Sequence, residues 1–185
     1  MRHGYGIQYW TDNAHYQGEW KYNKAEGKGT FWHAEGDVYS GDFKNDMANG
    51  YGEYVHLNGS KYVGDFKDDI QEGHGEESWV DGAKYNGTYL DGMKHGHGVY
   101  TWAIGDTYEG NWENNKISGY GEQKWTVGKE YKGYWKDNNM HGKGLQTWAD
   151  GRVYEGDFLN DKKHGIATYT YPDGRQYVGE WKNNK

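Results

Sequence analysis

Nine histidines in 185 residues are the side chains best suited to hold a metal, and His74, His95 and His97 are the closest group. His74 and His97 stand 23 residues apart at equivalent strand positions. That puts them two strand spacings apart, roughly 9–10 Å, whereas metal–nitrogen bonds are about 2 Å. His95 and His97 share a strand face, enough for weak binding only, so the three read as solvated strand-end side chains. Eight G-x-G or near-G-x-G units suggest phosphate loops, but none opens a helix or continues to G-x-x-G or G-K-[ST]. Asp68-Asp69 reads as a turn, and Glu76-Glu77 points to opposite faces of a strand. Nothing forms a catalytic pair, and the expectation is a protein with no enzymatic activity, metal or cofactor.

The remaining side chains with distinctive chemistry are aromatic: 19 Tyr, 10 Trp and 4 Phe. Tyr16, Tyr39, Tyr62, Tyr85, Tyr108, Tyr131, Tyr154 and Tyr177 each open a Y-x-G-x-aromatic pattern, 23 residues from the next, without insertion or deletion. The fifth position holds Trp20, Phe43, Phe66, Tyr89, Trp112, Trp135, Phe158 and Trp181. G-x-G begins at Gly4, Gly27, Gly50, Gly73, Gly96, Gly119, Gly142 and Gly165, with Ala167 replacing the last second Gly. A further column runs from Gly36 to Gly174, with Asn13 in its first copy. These columns hold all but Gly92 of the 31 glycines. Self-similarity at a fixed period identifies a repeat protein.

Such columns imply strands. Side chains alternate between faces, so Tyr131, Gly133 and Trp135 share one face, as do Gly142, Gly144, Gln146 and Trp148. Asp-Gly and Asn-Gly at 58–59, 81–82, 150–151 and 173–174 predict two-residue hairpins with positive φ. Asn45-Asp46, Asp68-Asp69, Asp91-Gly92, Asn114-Asn115 and Asp137-Asn138 tolerate the same geometry. Two strands and two turns per repeat predict an antiparallel meander of about sixteen strands. Rings can then lie across glycine backbones of neighbouring strands, and one repeat alone cannot bury its rings. A parallel β-helix, which stacks aliphatic side chains inward, and a four-bladed propeller are the rival architectures.

Composition fits an aromatic rather than aliphatic interior. Hydrophobic residues make up 34% and mean hydropathy is −1.26. Low hydrophobicity with abundant Gly would otherwise suggest disorder, but disorder has no need of rings in fixed register. No apolar run approaches the ~18 residues that span a bilayer, and the start lacks the apolar stretch of a secretory signal. A cytoplasmic location is the default, and the absence of Cys removes any disulfide framework. Residues 1–92 carry 8 basic and 16 acidic side chains, whereas residues 93–185 carry 13 and 12. Neither half has the basic stripe of a nucleic-acid binder.

The pattern Y-x-G-x-W…G-x-G-x-x-x-x-x-D-G at this spacing resembles the MORN repeat (membrane occupation and recognition nexus) over residues 4–181. His33 and His56, in a column otherwise filled by Trp10, Trp79, Trp102, Trp125, Trp148 and Tyr171, are local departures. The resemblance implies an elongated, twisted, single-layer sheet of eight 23-residue repeats with a shallow groove. It also implies roles in cytoskeletal and ciliary scaffolds, membrane-junction proteins, or accessory domains of lipid kinases and a lysine methyltransferase. Residues 1–185 are expected to be one continuous array, cut from a longer chain because both ends fall inside the periodic pattern.

A one-layer sheet has nothing to cover its aromatic face, and exposed apolar patches mark interaction sites. The expected groove for a helix or extended segment of another protein is lined by Tyr85, Tyr89, Tyr100, Trp102, Tyr108, Trp112, Trp125, Tyr131, Trp135 and Trp148. The alternative is a membrane- or phosphoinositide-associated adaptor, or a regulatory module of a larger enzyme such as a lipid kinase. Its candidate headgroup contacts are Lys129, Lys132, Lys136, Lys143, Lys162 and Lys163. A third expectation is a homodimer through the unpaired edge at Tyr177, Gly179 and Trp181.

Overall fold

The computed structural model describes residues 1–185 and contains sixteen antiparallel strands and no helix. It has two compact units, Met1–Met93 and Lys94–Lys185. The first holds β1 (Gly4–Tyr9), β2 (His15–Lys21), β3 (Lys24–Trp32), β4 (Val38–Lys44), β5 (Met47–Val55), β6 (Lys61–Lys67), β7 (Ile70–Ser78) and β8 (Lys84–Leu90). The second holds β9 (Met93–Thr101), β10 (Thr107–Glu113), β11 (Lys116–Lys124), β12 (Glu130–Lys136), β13 (Asn139–Thr147), β14 (Val153–Leu159), β15 (Lys162–Thr170) and β16 (Gln176–Trp181). Within each unit every strand pairs with its sequence neighbours, so both are all-β meanders, as the alternating pattern predicts.

The interior of each unit is a herringbone of rings. Tyr16 meets Trp20 at 5.0 Å and Phe43 at 4.9 Å, both edge-on. Tyr39 meets Phe43 and Phe66 in the same way, and Tyr131 meets Trp135 and Phe158 at 5.0 Å each. Each opening tyrosine thus bridges the fifth-position ring of its own repeat and that of the next. T-shaped pairs at these separations are attractive beyond the area they bury. The hydroxyls lie along their own strands and donate to the carbonyl three residues on, as from Tyr16 to Glu19 at 3.0 Å and from Tyr131 to Tyr134 at 2.9 Å.

Glycine makes room for this arrangement. Gly18 pairs directly with Gly29 across β2 and β3, and the Tyr16 ring lies over both. A Cβ on Gly29 would sit 2.5 Å from Cε2 of Tyr16, so no larger residue fits under the ring.

The first Gly of each G-x-G has another task, which alternation alone does not anticipate. Gly27 (φ 77°), Gly73 (φ 74°) and Gly142 (φ 80°) sit in bulges, where one residue faces three. Glycine adopts positive φ without steric cost. The long strands also begin earlier than expected: β13 starts at Asn139, and Trp148 lies beyond its end, in the turn. The Asp-Gly and Asn-Gly turns differ too. They are three-residue loops in which only Gly has positive φ, as at Gly82 (φ 95°). Trp79 N–H donates to Ala83 O and Gly82 N–H to Trp79 O. This is a turn closed by a left-handed glycine rather than a two-residue hairpin.

The two-residue hairpins are the other set. Asp68 and Asp69 have φ of 48° and 68°, and Asp137 and Asn138 of 48° and 69°. Their second residues also clasp the preceding repeat. Asp69 N–H donates to Ala48 O at 3.0 Å, and its carboxylate accepts from Ala48 N–H at 2.7 Å. The same pair of bonds links Asp46 to Ala25, Asn138 to Ile117 and Asp161 to Met140. At Gly92 the backbone bond to Gln71 O remains, but no side chain can return the second. Gly92→Asn is therefore expected to stabilise the first unit by about 1 kcal/mol, one net hydrogen bond. Asn tolerates the φ of 74°. Urea denaturation followed by tyrosine and tryptophan fluorescence measures it.

Candidate functional site

The rings expected to line an open groove divide into two sets. Tyr85, Tyr89, Tyr108, Trp112, Tyr131 and Trp135 are buried, with Tyr108 and Tyr131 fully excluded from solvent. The expectation that they remain uncovered fails, because each is covered by rings of adjoining repeats rather than by a second layer. Their hydroxyl chemistry shows it: burial pushes the Tyr85, Tyr108 and Tyr131 phenols well above their ordinary range, and Tyr16 to about 12. Tyr100, Trp102, Trp125 and Trp148 are only half-buried. Tyr100 and Trp102 meet at 4.8 Å, and Trp148 lies 6.1 Å from Tyr169.

The open site on this face lies instead in the first unit. A pocket of about 420 Å³ is lined by Phe31, His33, Tyr39, Phe43, Asp46, Ala48, Tyr54, Phe66 and Asp69. Two substitutions within the repeat pattern create it. His33 stands where six other repeats have Trp or Tyr, and Ala48 stands where later repeats place Gln71, Ile117, Met140 and Lys163. His33 packs against Phe31 at 4.6 Å and Tyr54 at 5.7 Å, forming one wall. Tyr54 is held by its hydroxyl, which donates to Asp37 at 2.8 Å. Asp37 also accepts from Leu57 N–H at 2.9 Å and contacts His56 Nδ1 at 3.2 Å. These bonds, the Leu57 N–H first, hold its carboxyl below the usual carboxylate range. The sequence signal was available: His33 and Ala48 are the departures in their columns, but their joint effect depends on the two lying side by side.

The six lysines do not form one basic surface. Lys132 pairs with Glu122 at 3.0 Å and Lys143 with Asp157 at 2.9 Å. Lys129 lies 3.6 Å from the Trp125 ring, its partial burial lowering its proton affinity. Lys163 is enclosed by rings, and Lys136 and Lys162 are exposed. At the expected dimer edge, β16 pairs with β15, Tyr177 is 46% exposed, and Trp181 packs against Tyr154 at 5.5 Å. Gly179 lies under the Tyr177 hydroxyl, as the floor glycines do elsewhere. Of the histidines, His74 and His97 are exposed, and His97 approaches Glu109 at 3.9 Å. No three His, Asp or Glu side chains converge to ligate a metal.

The fold is shared with solved structures. The chain superimposes on the SAS-4 (dCPAP) TCP domain of Drosophila melanogaster, solved in complex with a proline-rich motif of Ana2 (dSTIL). The TM-score is 0.51 and the identity 14%, over 96% of this chain and 90% of that one. A second structure, the TCP10c domain of Drosophila melanogaster Sas-4, gives 0.46 and 13% identity over 96% and 99%. The G-box domain of the microcephaly protein CPAP gives 0.48 and 11% over 97% and 100%. A search of the curated proteins returned no match. The MORN repeat model matches residues 1–15, 16–38, 39–61, 62–84, 85–107, 108–130, 131–151, 154–174 and 177–185. These nine segments are the expected 23-residue repeats with partial copies at the two ends. The chain belongs to the MORN repeat family.

Proposed function

We propose that the protein is a non-enzymatic scaffold that holds a segment of another protein on the aromatic face of its first unit. The setting we propose is a cytoskeletal, ciliary or membrane-associated assembly, of the kind the MORN resemblance implies. The observation that carries the reading is the pocket around Ala48, an aromatic concavity with two carboxylates on a face whose other rings are packed against one another. Preformed, mostly apolar concavities with a few polar groups are where ligands bind. The reading draws further support from the shared fold of the SAS-4 TCP domain, a domain that holds a proline-rich motif. The lipid-adaptor reading has less support, since two of its six lysines are spent on carboxylates and two on rings.

Ala48→Met is the test, because Met140 already occupies the equivalent position five columns of strands later. The variant is expected to keep its circular dichroism and denaturation midpoint. Cross-linking followed by mass spectrometry should show loss of the partner that wild type captures. Trp102→Ala with Trp125→Ala, in the second unit, should leave capture unchanged. Capture undiminished by Ala48→Met would overturn the reading.

A further inference from the structure

The repeat architecture shows what the Ala48 pocket is built to hold, because the same cage recurs five repeats later with an occupant. Lys163 stands in the column of Ala48. Its ammonium lies 4.8 Å from the Trp148 ring, 5.1 Å from Tyr154, 4.6 Å from Tyr169 and 4.8 Å from Trp181. The residues five repeats earlier are His33, Tyr39, Tyr54 and Phe66, and all four line the pocket. Each ring of the filled cage thus has a ring counterpart in the open one, and the side chain that fills the first is cut back to a methyl group in the second. The column places a cation against rings again at Arg2, whose guanidinium lies 4.0 Å over Trp20.

The charges differ in the direction a visiting cation requires. The filled cage has Asp161 and Asn184 at the two turn positions beside it. In the open cage both positions are acidic, Asp46 and Asp69, and both line the pocket. Each uses one carboxylate oxygen in its clasp, at 2.7 Å from Ala25 N–H and from Ala48 N–H, respectively. Residues 1–92, moreover, carry twice as many acidic as basic side chains. Ring faces attract ammonium groups through their quadrupoles, more strongly when the site is partly desolvated.

We propose that the Ala48 cage receives a lysine side chain of the partner protein, its ammonium enclosed by Tyr39, Tyr54, Phe66 and His33 and facing Asp46 and Asp69. This rests on the scaffold reading above and names the chemistry of the segment held: a basic peptide with a lysine at the anchoring position. Lys163 supplies the internal precedent, its proton affinity lowered chiefly by burial among the rings.

The probe is n-butylammonium, the lysine side chain without its backbone, with n-butanol as the neutral counterpart. Titration into the full chain, followed by NMR of the aromatic side chains, is expected to give saturable shifts of the His33, Tyr39, Tyr54 and Phe66 rings. Binding of n-butanol should be about tenfold weaker, the size of one favourable cation–ring contact. Ala48→Lys, which fills the cage from within as Lys163 does, should abolish the shifts. Asp46→Asn with Asp69→Asn keeps the clasp acceptors, since Asn138 and Asn184 serve at the same positions. This pair should weaken ammonium binding severalfold without unfolding the protein. Equal binding of n-butanol, or shifts that persist in Ala48→Lys, would overturn the assignment. Partner capture that depends on residue 48 while n-butylammonium causes no shift would overturn the lysine and leave the scaffold reading standing.

Discussion

Gly121→Val is expected to destabilise the second unit by about 3 kcal/mol or more, the largest effect of any small change in the chain. Gly121 pairs with Gly110, and a Cβ there would lie 2.5 Å from Cζ and 2.6 Å from Cε2 of Tyr108, and nearer still to its hydroxyl. The ring cannot retreat, because it is fully buried between Trp112 at 5.5 Å and Trp135 at 5.6 Å. Forcing extra carbon atoms into a packed core costs about 1–3 kcal/mol. Displacing the hydroxyl from Asn111 O, which it now meets at 3.0 Å, adds about 1–3 kcal/mol for the group left unsatisfied. The chain contains its own comparison. Ala167 occupies this column in the last full repeat, and there the pairing passes from Glu155–Thr168 to Asp157–His164 without the usual glycine pair. The Tyr154 hydroxyl there reaches His164 O at 3.3 Å as well as Asp157 O. A single methyl group is accommodated by shifting strand and ring; a branched side chain demands more. Denaturant unfolding of the variant against wild type measures the difference.

Tyr131→Ala should cost about 3–5 kcal/mol, the usual loss for deleting a buried ring. Tyr131→Phe should cost about 1 kcal/mol. The ring is fully buried and supplies two edge-on contacts at 5.0 Å, to Trp135 and Phe158. The hydroxyl supplies one bond, to Tyr134 O at 2.9 Å. If the herringbone carries the stability, the two variants separate by several kcal/mol, and tryptophan emission of the alanine variant moves to the red as Trp135 becomes hydrated. Equal losses would show that the hydroxyl bond, not the ring packing, dominates.

The strands, their order and the ring-over-glycine arrangement were legible because eight copies of one pattern isolate each position's task. Tyr39 and Gly41 recur together only if ring and floor belong together. What repetition hides is the division of labour between identical letters. Gly142 and Gly144 look alike in G-x-G, yet one relieves a bulge and the other lies under Tyr131. Asp69 and Asn138 are explained by positive φ alone, so nothing in the sequence announces that their side chains also clasp the repeat before. Burial of Tyr85 and Trp112 was misread for a physical reason: cover was sought from a second layer, whereas rings of adjoining repeats provide it. The Ala48 pocket was hidden because it arises from what is missing, Trp at 33 and a long side chain at 48, and two absences meet only in three dimensions.

The clasp has a consequence for how such a chain can change length. Asp46 reaches back to Ala25, Asp69 to Ala48 and Asn138 to Ile117, always across the same sequence interval. Each turn is thereby cast against the one before it. Losing or gaining one or two residues inside a repeat would leave a clasp opposite the wrong amide and a tyrosine over a residue other than glycine. Adding or removing a whole period disturbs neither. The molecule behaves as a ratchet with a tooth of 23 residues, free to lengthen or shorten by duplication or excision of complete teeth and resistant to drift by anything smaller. The unbroken spacing from Tyr16 to Tyr177 is the record of that constraint.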